Sequence, residues 1–240
     1  MAAHEEAEEM VGLAPDLATL SGWLLRRTTG EPLAWIVGSV AFLGQRLRIA
    51  PGVYVPRAQT QDLAARAAGL ALPGGAAADL CTGSGAVASH LLRCVPGVSV
   101  VATDIDQAAA RCALSNGVAA VVADLDGPLR PGRFDLVTAV APYVPRAELA
   151  YLPADVLRFE PRLALDGGPD GMRVMGRVVA AAARLLRPGG WLVTEIGGEQ
   201  DGALAPLLAD AGFSRPEFWS DDDGDLRGCA ARLGPRPSIG

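Results

Sequence analysis

The sequence predicts an α/β protein built on a doubly wound, mostly parallel sheet. From residue 59 onwards, short apolar segments alternate with helical ones, which is typical of parallel strands covered by helices on both faces. The 240 residues are enough for one domain with a small appendage. Hydrophobic residues make up 50% of the chain and charged residues 20%, which excludes a largely disordered protein.

Composition also excludes several classes of function. The formal net charge is -6, whereas a protein that follows nucleic-acid phosphates is normally basic, so no nucleic-acid partner is expected. The four cysteines form no CxxC pair, and His4 and His90 lie far apart, so no metal site is expected. The sequence begins without the apolar core of a signal peptide, and no apolar stretch reaches roughly 18 residues. We therefore expect a cytoplasmic protein that does not enter a membrane.

Three parts are expected along the chain. They are a short helical segment (1–30), a β-hairpin lead-in (31–58) and a main domain (59–240). A helix is predicted over 13–28, where leucines recur at helical spacing, after a frayed acidic start at 1–12. The hairpin is predicted over 36–55, where β-type residues flank the turn residues Gly44 and Gly52.

The main domain is predicted to alternate strands with helices and to end in an antiparallel hairpin. The predicted strands are 76–80, 98–103, 118–123, 134–140 and 191–196. The predicted helices are 59–71, 86–94, 107–115, 172–186 and 201–211. The final hairpin would pair 213–219 with 229–233.

The clearest local signal is a glycine-rich turn between the first strand and helix of this series. It runs from Asp79 to Gly85 and reads DLCTGSG. Glycines let a backbone approach a ligand closely, and the helix that follows adds free N–H donors. Asp104 ends the next strand, 19 residues after Gly85, where a carboxylate accepts hydrogen bonds from ribose hydroxyls. Asp124 ends the third strand in the same way.

Two cofactors fit this turn. Gly83, Gly85 and Ala88 match the dinucleotide fingerprint, which favours NAD. Asp79, however, would face a pyrophosphate unfavourably and suits a ligand that carries positive charge. S-adenosylmethionine has a sulfonium and an α-amino group, so it fits the turn better than NAD does.

Ordered motifs between about residue 30 and about residue 230 resemble the HemK-like protein-(glutamine-N(5)) methyltransferases. The matching segments are Gly30–Ile36 (GEPLAWI), Val55–Arg57 with Thr60, the turn Asp79–Gly85, Ala141–Pro145 (APYVP), Phe159–Pro161 with Ala164, Leu165, Gly168, Asp170 and Gly171, and Glu195–Gly197 with Gln200. The chain is most similar to an offshoot of undefined substrate with an NAPYVP signature, where this sequence has VAPYVP. The resemblance implies a class I S-adenosylmethionine-dependent methyltransferase that acts on a glutamine amide of a release factor.

The resemblance also implies roles for individual residues. S-adenosylmethionine would contact Tyr54, Arg57, Thr60, Asp79, Cys81, Gly83, Gly85, Asp104, Ile105, Asp124 and Leu125. The catalytic loop would be Val140, Ala141, Pro142 and Tyr143, and the substrate would contact Val140, Pro142, Tyr143 and Glu160. In the family, an asparagine side-chain oxygen and the next backbone carbonyl accept the two N–H groups of the substrate amide. Orientation is then the chief contribution to catalysis, because amide resonance occupies the nitrogen lone pair.

Several positions depart from the family pattern. They are Val140 for asparagine, Ala141 for the first proline, Gln59 and Gln61 for acidic residues, and Cys81 for glycine. Valine cannot accept a hydrogen bond, and a missing acceptor for a buried N–H costs about 1–3 kcal/mol. Asn116 is the only asparagine in the chain and is predicted to lie at the end of a remote helix.

Three functions therefore stay open from the sequence. The first is methylation of a protein glutamine. The second is methylation of an amine or hydroxyl on a small molecule or peptide, which an apolar pocket at Val140 would suit. The third is a catalytically silent protein that binds the cofactor.

Overall fold

The computed structural model describes residues 3–235 and shows helices packed on both faces of a central sheet. The helices are α1 (Ala3–Leu13), α2 (Leu17–Thr28), α3 (Leu33–Val37), α4 (Gln59–Leu70), α5 (Ala86–Cys94), α6 (Gln107–Ser115), α7 (Ala154–Phe159), α8 (Arg173–Leu185) and α9 (Asp201–Asp210). The strands are β1 (Ser39–Phe42), β2 (Gln45–Arg48), β3 (Ala76–Leu80), β4 (Ser99–Asp104), β5 (Ala119–Val122), β6 (Phe134–Ala139), β7 (Leu186–Glu195), β8 (Phe213–Ser220) and β9 (Leu226–Leu233). The first two positions of the predicted helical segment and the last five of the predicted main domain lie outside the described residues.

The central sheet has seven strands in the order β5-β4-β3-β6-β7-β9-β8. The first five run parallel, and β9 pairs antiparallel with both β7 and β8. The predicted doubly wound sheet with a terminal antiparallel hairpin is therefore confirmed. The chain leaves β3 towards β4 on one side and later returns as β6 on the other side. Such a reversal opens a crevice at the carboxyl ends of the strands, where ligands bind in this class of sheet.

Two apolar cores lie on the two faces of the sheet. On one face, α8 buries Met175, Val178 and Leu185, and α9 packs beside it. On the other face, α4 and α5 bury Leu63 and Leu91. Strands β3 and β6 are buried on both faces, which explains their continuous apolar sequence.

The structure corrects the prediction for the N-terminal part in two places. Residues 3–13 form α1, where a frayed start was expected. The predicted hairpin over 36–55 is limited to β1 and β2, and α3 precedes it. Val53 is not in a strand, because its carbonyl accepts a hydrogen bond from Trp35 Nε1 at 2.9 Å. We call residues 53–58, which cross from this point to α4, the strap.

One strand of the main domain also differs from its prediction. Strand β7 begins at Leu186, where residue 191 was expected. Leu186 already pairs with Phe134, and the register shifts before the next pair, Leu136 with Trp191. The proline and glycines at 188–190 therefore lie within the strand as an irregularity. No helix among residues 3–235 has the length and hydropathy needed to span a membrane.

The final hairpin depends on a glycine, and this can be tested. A Cβ atom on Gly228 would overlap the six-membered ring of Trp219, its partner in the β8–β9 pairing. We expect Gly228→Ala to lower the free energy of unfolding by about 1–3 kcal/mol, the usual cost of overpacking. Urea unfolding followed by tryptophan fluorescence measures it. Gly202→Ala is the control, because its Cβ would meet no atom within 4 Å and alanine favours the helix by up to about 1 kcal/mol. Equal losses in both variants would contradict the prediction.

Candidate active site

A cavity of about 330 Å³ lies at the carboxyl ends of the parallel strands. Eleven of the residues predicted to form the site line it: Tyr54, Cys81, Gly83, Asp104, Ile105, Asp124, Leu125, Val140, Ala141, Pro142 and Tyr143. The other predicted residues, which are Arg57, Thr60, Asp79, Gly85 and Glu160, lie behind this lining. The volume is in the range of pockets that hold small molecules.

The glycine-rich turn has a left-handed backbone at three of its positions. Cys81, Gly83 and Gly85 have φ angles of 55°, 56° and 80°. Gly85 is the last residue before α5, and a Cβ there would lie 3.0 Å from the Cβ of Ala113 on α6. Gly85 therefore serves the packing of the turn against α6, while Gly83 faces the cavity.

Asp79 lies beneath the turn and is 2% exposed. Its carboxylate accepts hydrogen bonds from Thr138 Oγ1 at 2.6 Å and Thr82 Oγ1 at 2.5 Å. Burial raises the pKa of Asp79 to about 6, although the two hydroxyl groups oppose this shift. At neutral pH the carboxylate is therefore mostly ionised, and no arginine or histidine among residues 3–235 forms an ion pair with it.

Asp104 lines the cavity at the end of β4. One carboxylate oxygen accepts the N–H of Gly83 at 2.8 Å, and the other accepts the N–H of Asp106 at 2.9 Å. Burial raises the pKa of Asp104 above its ordinary value. Because each carboxylate oxygen can accept more than one hydrogen bond, Asp104 can still receive hydroxyl groups from a ligand.

Asp124 reaches the cavity from the end of β5 and is paired there with an arginine. Arg177 Nη2 on α8 lies 2.7 Å from Asp124 Oδ2. Both side chains are more than half exposed, and such pairs contribute little to stability. A ligand can therefore displace Arg177 from Asp124. The sequence analysis missed Arg177, because nothing in its local pattern sets it apart from other helical arginines.

The strap is fastened by an ion pair outside the cavity lining. Arg57 Nη2 lies 2.6 Å from Glu160 Oε1, and the Glu160 side chain is only 2% exposed. The Arg57 guanidinium also lies 4.9 Å from the centre of the Tyr54 ring. Burial raises the pKa of Tyr54 to about 12. The structure thus gives Arg57 and Glu160 a holding role, and the contacts predicted for them with cofactor and substrate stay predictions.

The loop after β6 forms the opposite wall of the cavity. Val140 lines the cavity, and its side chain packs against the apolar core beneath α4 and α5. Tyr143 and Val144 also line a second cavity of about 690 Å³, so the two cavities are neighbours at this loop. Glu148, Asp170 and Glu199 place carboxylates in this second cavity, which is open to solvent.

A hydrogen-bonded group, missed as a unit in the sequence analysis, holds Tyr143. The Tyr143 hydroxyl donates to Glu195 Oε1 at 3.0 Å, and Gln59 Nε2 donates to the Tyr143 oxygen at 3.0 Å. Thr60, predicted to contact the cofactor, instead donates to Glu195 Oε2 at 2.8 Å. The signal that could have found Glu195 is its position, since a carboxylate at the carboxyl end of a parallel strand lies at the ligand-binding edge.

Asn116, the only asparagine in the sequence, lies at the end of α6, as predicted, and its side chain is hydrogen-bonded there. Asn116 ends α6, and its Nδ2 donates to the carbonyls of Arg48 and Ser84 at 2.9 and 2.8 Å. Its Oδ1 accepts the N–H of Arg48 at 2.8 Å. Asn116 therefore joins β2 to the glycine-rich turn and cannot supply an amide oxygen beside Val140. Within residues 3–235, no group of three or more histidine, cysteine, aspartate or glutamate side chains is arranged to hold a metal ion.

Comparison with known proteins identifies close relatives. The chain is 42% identical over 202 residues to a release factor glutamine methyltransferase from Moorella thermoacetica, and the match covers 80% of this chain and 71% of that protein. Other relatives that are 34% to 40% identical have the same name. No family model matches this sequence.

A relative with a different named substrate is similarly close. It is a 4-amino-L-phenylalanine/4-methylamino-L-phenylalanine methyltransferase from Streptomyces pristinaespiralis, 37% identical over 203 residues, which are 79% of this chain and 69% of that protein. Among solved structures, a ribosomal protein L11 methylase from Lactobacillus delbrueckii subsp. bulgaricus matches with a TM-score of 0.57 and 19% identity, over 78% of this chain and 85% of that one. This likeness confirms the predicted class I methyltransferase fold.

The left-handed backbone at Cys81 gives a test of the turn. At the Cys81 φ of 55°, a residue with a Cβ atom strains the backbone, whereas glycine, which has no Cβ, does not. We expect Cys81→Gly to unfold with a free energy about 1 kcal/mol higher than Cys81→Ala. Both variants lose the sulfur, so the difference between them isolates the backbone strain. Urea unfolding of the two variants measures it, and equal stabilities would contradict the prediction.

Proposed function

Because this chain belongs to the HemK-like release factor glutamine methyltransferase family, we propose that it methylates the side-chain amide of a glutamine in a peptide-chain release factor. One observation of the geometry carries this proposal. Tyr143 lines both the cavity at the carboxyl ends of the strands, which has Asp104, Asp106 and Asp124 in its lining, and a larger cavity that opens to solvent. A small cofactor in one cavity and a protein side chain in the other can therefore both reach Tyr143.

The cofactor of the family is S-adenosylmethionine, and the cavity suits it. When bound, this cofactor supplies a methyl group on a positively charged sulfur. Asp79 is buried and Asp104 is partly buried, and within residues 3–235 neither carboxylate forms an ion pair. Both therefore favour a positively charged ligand. Asp104 would receive the ribose hydroxyls, and Asp124 would exchange Arg177 for the adenine side of the cofactor.

The chain's own contribution to the transfer is orientation. A carboxamide nitrogen is a weak nucleophile, so its alignment with the methyl group and acceptance of its two N–H groups are what the loop must provide. Pro142 and Tyr143 belong to this loop, and the resemblance implies that the backbone carbonyl after Val140, that of Ala141, accepts one N–H. The side chain of Val140 cannot accept the other.

Val140 favours a second candidate, an amine acceptor. An aromatic amine keeps a more available lone pair than an amide does and depends less on a second N–H acceptor. The relative from Streptomyces pristinaespiralis is named for substrates of this kind. We therefore propose 4-amino-L-phenylalanine as the alternative acceptor to be compared directly with a release factor.

Cofactor binding is expected to weaken in acid. The pKa of Asp79 is about 6 in the folded protein, and a positively charged ligand prefers its ionised form. The affinity for S-adenosylmethionine should therefore rise with pH up to about pH 6 and level off above it, by at most about tenfold per pH unit for one proton. Titration calorimetry between pH 5 and pH 8 measures this.

Two variants make the pH dependence specific to Asp79. Asp79→Asn should bind more weakly at neutral pH and show a flatter profile. Asp62→Asn changes a half-exposed carboxylate on α4 and should keep the wild-type profile. An affinity that is constant from pH 5 to pH 8 in the wild type would refute the assignment.

The acceptor is tested by exchanging the side chain at residue 140. Val140→Asn should raise kcat for glutamine methylation of a release factor by roughly ten- to a hundredfold, because it restores a hydrogen bond of about 1–3 kcal/mol. Val140→Leu is the control, since leucine has nearly the shape of asparagine without its polar atoms. Transfer of a labelled methyl group, detected by mass spectrometry of the release factor, measures the rates.

The same assay separates the candidate functions. The release factor proposal predicts methylation by the wild type and a further gain in Val140→Asn. The amine proposal predicts that the wild type methylates 4-amino-L-phenylalanine and that Val140→Asn brings no gain with it. Cofactor binding without transfer to either acceptor would contradict both proposals.

A further inference from the structure

Glu195 is a buried carboxylate at the active site that no part of the proposed reaction has yet used. It ends β7 and is 1% exposed. Its partners are Thr60 Oγ1 at 2.8 Å, Gln59 Nε2 at 3.1 Å and the Tyr143 hydroxyl at 3.0 Å. Within residues 3–235, no arginine or histidine forms an ion pair with it. Its charge is instead stabilised by these donors and by the amino-terminal end of α4, to which Gln59 and Thr60 belong.

The carboxylate determines which way the Tyr143 proton points. An ionised carboxylate can only accept hydrogen bonds, so the Tyr143 hydroxyl must donate its proton to Glu195. The amide of Gln59 must likewise turn its nitrogen towards Glu195, and this nitrogen also donates to the Tyr143 oxygen. Burial and the charge of Glu195 raise the pKa of Tyr143, so the hydroxyl stays protonated. One lone pair of the Tyr143 oxygen remains free.

The rest of Tyr143 is held equally firmly. Gln200 Nε2 donates to its backbone carbonyl at 2.8 Å, and a Cβ on Gly197 would lie 3.1 Å from its ring. A Cβ on Gly171 would overlap the same carbonyl. The ring therefore cannot move far from its place beside the two cavities, and the direction of its hydroxyl is the remaining variable.

We propose that Glu195 is a positioning residue for methyl transfer, which acts by turning the Tyr143 proton away from the acceptor. Tyr143 then offers the incoming N–H group a hydrogen-bond acceptor that Val140 cannot provide. The inference rests on the proposed function only for the identity of the acceptor, because either a glutamine amide or an aromatic amine carries an N–H group. Gln59 supports this orientation of the Tyr143 proton, because its uncharged amide nitrogen donates to both Glu195 and the Tyr143 oxygen.

Four variants test the assignment. Glu195→Gln removes the charge, Tyr143→Phe removes the hydroxyl, and the Glu195→Gln/Tyr143→Phe protein removes both. The fourth, Gln59→Glu/Glu195→Gln, moves the carboxylate to the other side of the Tyr143 oxygen, where it can again take the proton. Gln61→Glu is the control for a new carboxylate on α4, as in the exchanged pair, because Gln61 contacts the N–H of Leu43 and not Tyr143.

The first measurement needs no methyl acceptor. The protein has three tyrosines, so ¹³Cζ-labelled tyrosine gives three NMR signals, and Tyr143→Phe identifies the one from Tyr143. In the cofactor-bound protein, we expect Glu195→Gln to shift this signal and the exchanged pair to restore it. Gln61→Glu should leave it unchanged. A Tyr143 signal that does not respond to Glu195→Gln would overturn the proposal.

The second measurement is kinetic. Glu195→Gln should lower kcat by roughly ten- to a hundredfold, the range expected for a lost transition-state contact, and leave KM for S-adenosylmethionine within about threefold. The variant that lacks both groups should be no slower than Tyr143→Phe alone, and the exchanged pair should recover activity. The positioning role would be overturned if the kcat loss of the double variant equalled the product of the two single losses. It would also be overturned if KM for S-adenosylmethionine rose as kcat fell.

A failure of the Glu195 proposal can be told apart from a failure of the proposed function. Rates are measured with a release factor and with 4-amino-L-phenylalanine. A wild type that methylates only the amine removes the glutamine proposal and leaves the role of Glu195 to be judged on the amine rates. Thermal melts accompany each variant, and if the exchanged pair fails to fold, the comparison of Glu195→Gln with Tyr143→Phe and the double variant still decides.

Discussion

Negative charge buried without a cation is the constraint that organises the site. The chain has 21 positively charged residues apart from histidine, yet Asp79, Asp104 and Glu195 are satisfied by hydroxyl groups, backbone N–H groups and an amide. Removal of an ionised carboxylate from water is expensive unless such donors surround it. The turn, the ends of β4 and β7 and the start of α4 supply them. Arginine pairs instead with two other carboxylates of the site, Arg57 with the buried Glu160 and Arg177 with the exposed Asp124.

The sequence predicted the parallel part of the fold well because local and tertiary signals agree there. Helices α5 and α6 have the predicted bounds, since Gly85 and Asp106 mark their starts. Residues 53–55 of the strap were wrongly predicted as a strand, whereas the Val53 carbonyl accepts a hydrogen bond from Trp35, a partner 18 residues earlier. No local pattern reveals such a contact. The irregular start of β7 has the same origin, since the pairing of Leu186 with Phe134 decides it.

The cofactor end of the site was also easier to predict than the acceptor end. Glycine and aspartate at fixed spacing around a turn reflect local backbone geometry, so this pattern predicted Gly83, Asp104 and Asp124, which line the cavity. The family resemblance added the eight other predicted residues of the lining. The support of Tyr143 comes from Gln59, Glu195 and Gln200, which lie on three distant elements. Each of these residues has an ordinary surface type, and only the fold brings them together. At the acceptor end, one conclusion did follow from the sequence alone. Because Asn116 is the only asparagine in the chain, no asparagine can supply the amide oxygen that the family has at position 140.

The pairing of Gly228 with both Glu195 and Trp219 has a consequence for the order in which the protein matures during synthesis. All residues predicted to contact the cofactor are translated by Leu125, and the loop predicted to be catalytic follows at 140–143. The strand pairing of Glu195 with Gly228, however, forms only after β9 has left the ribosome and inserted between β7 and β8. A nascent chain can thus acquire the parts of its cavity early, whereas the strand that holds Glu195 gains its last neighbour from one of the last segments to emerge. The proposed positioning of Tyr143 by Glu195 therefore belongs to a chain whose sheet is complete.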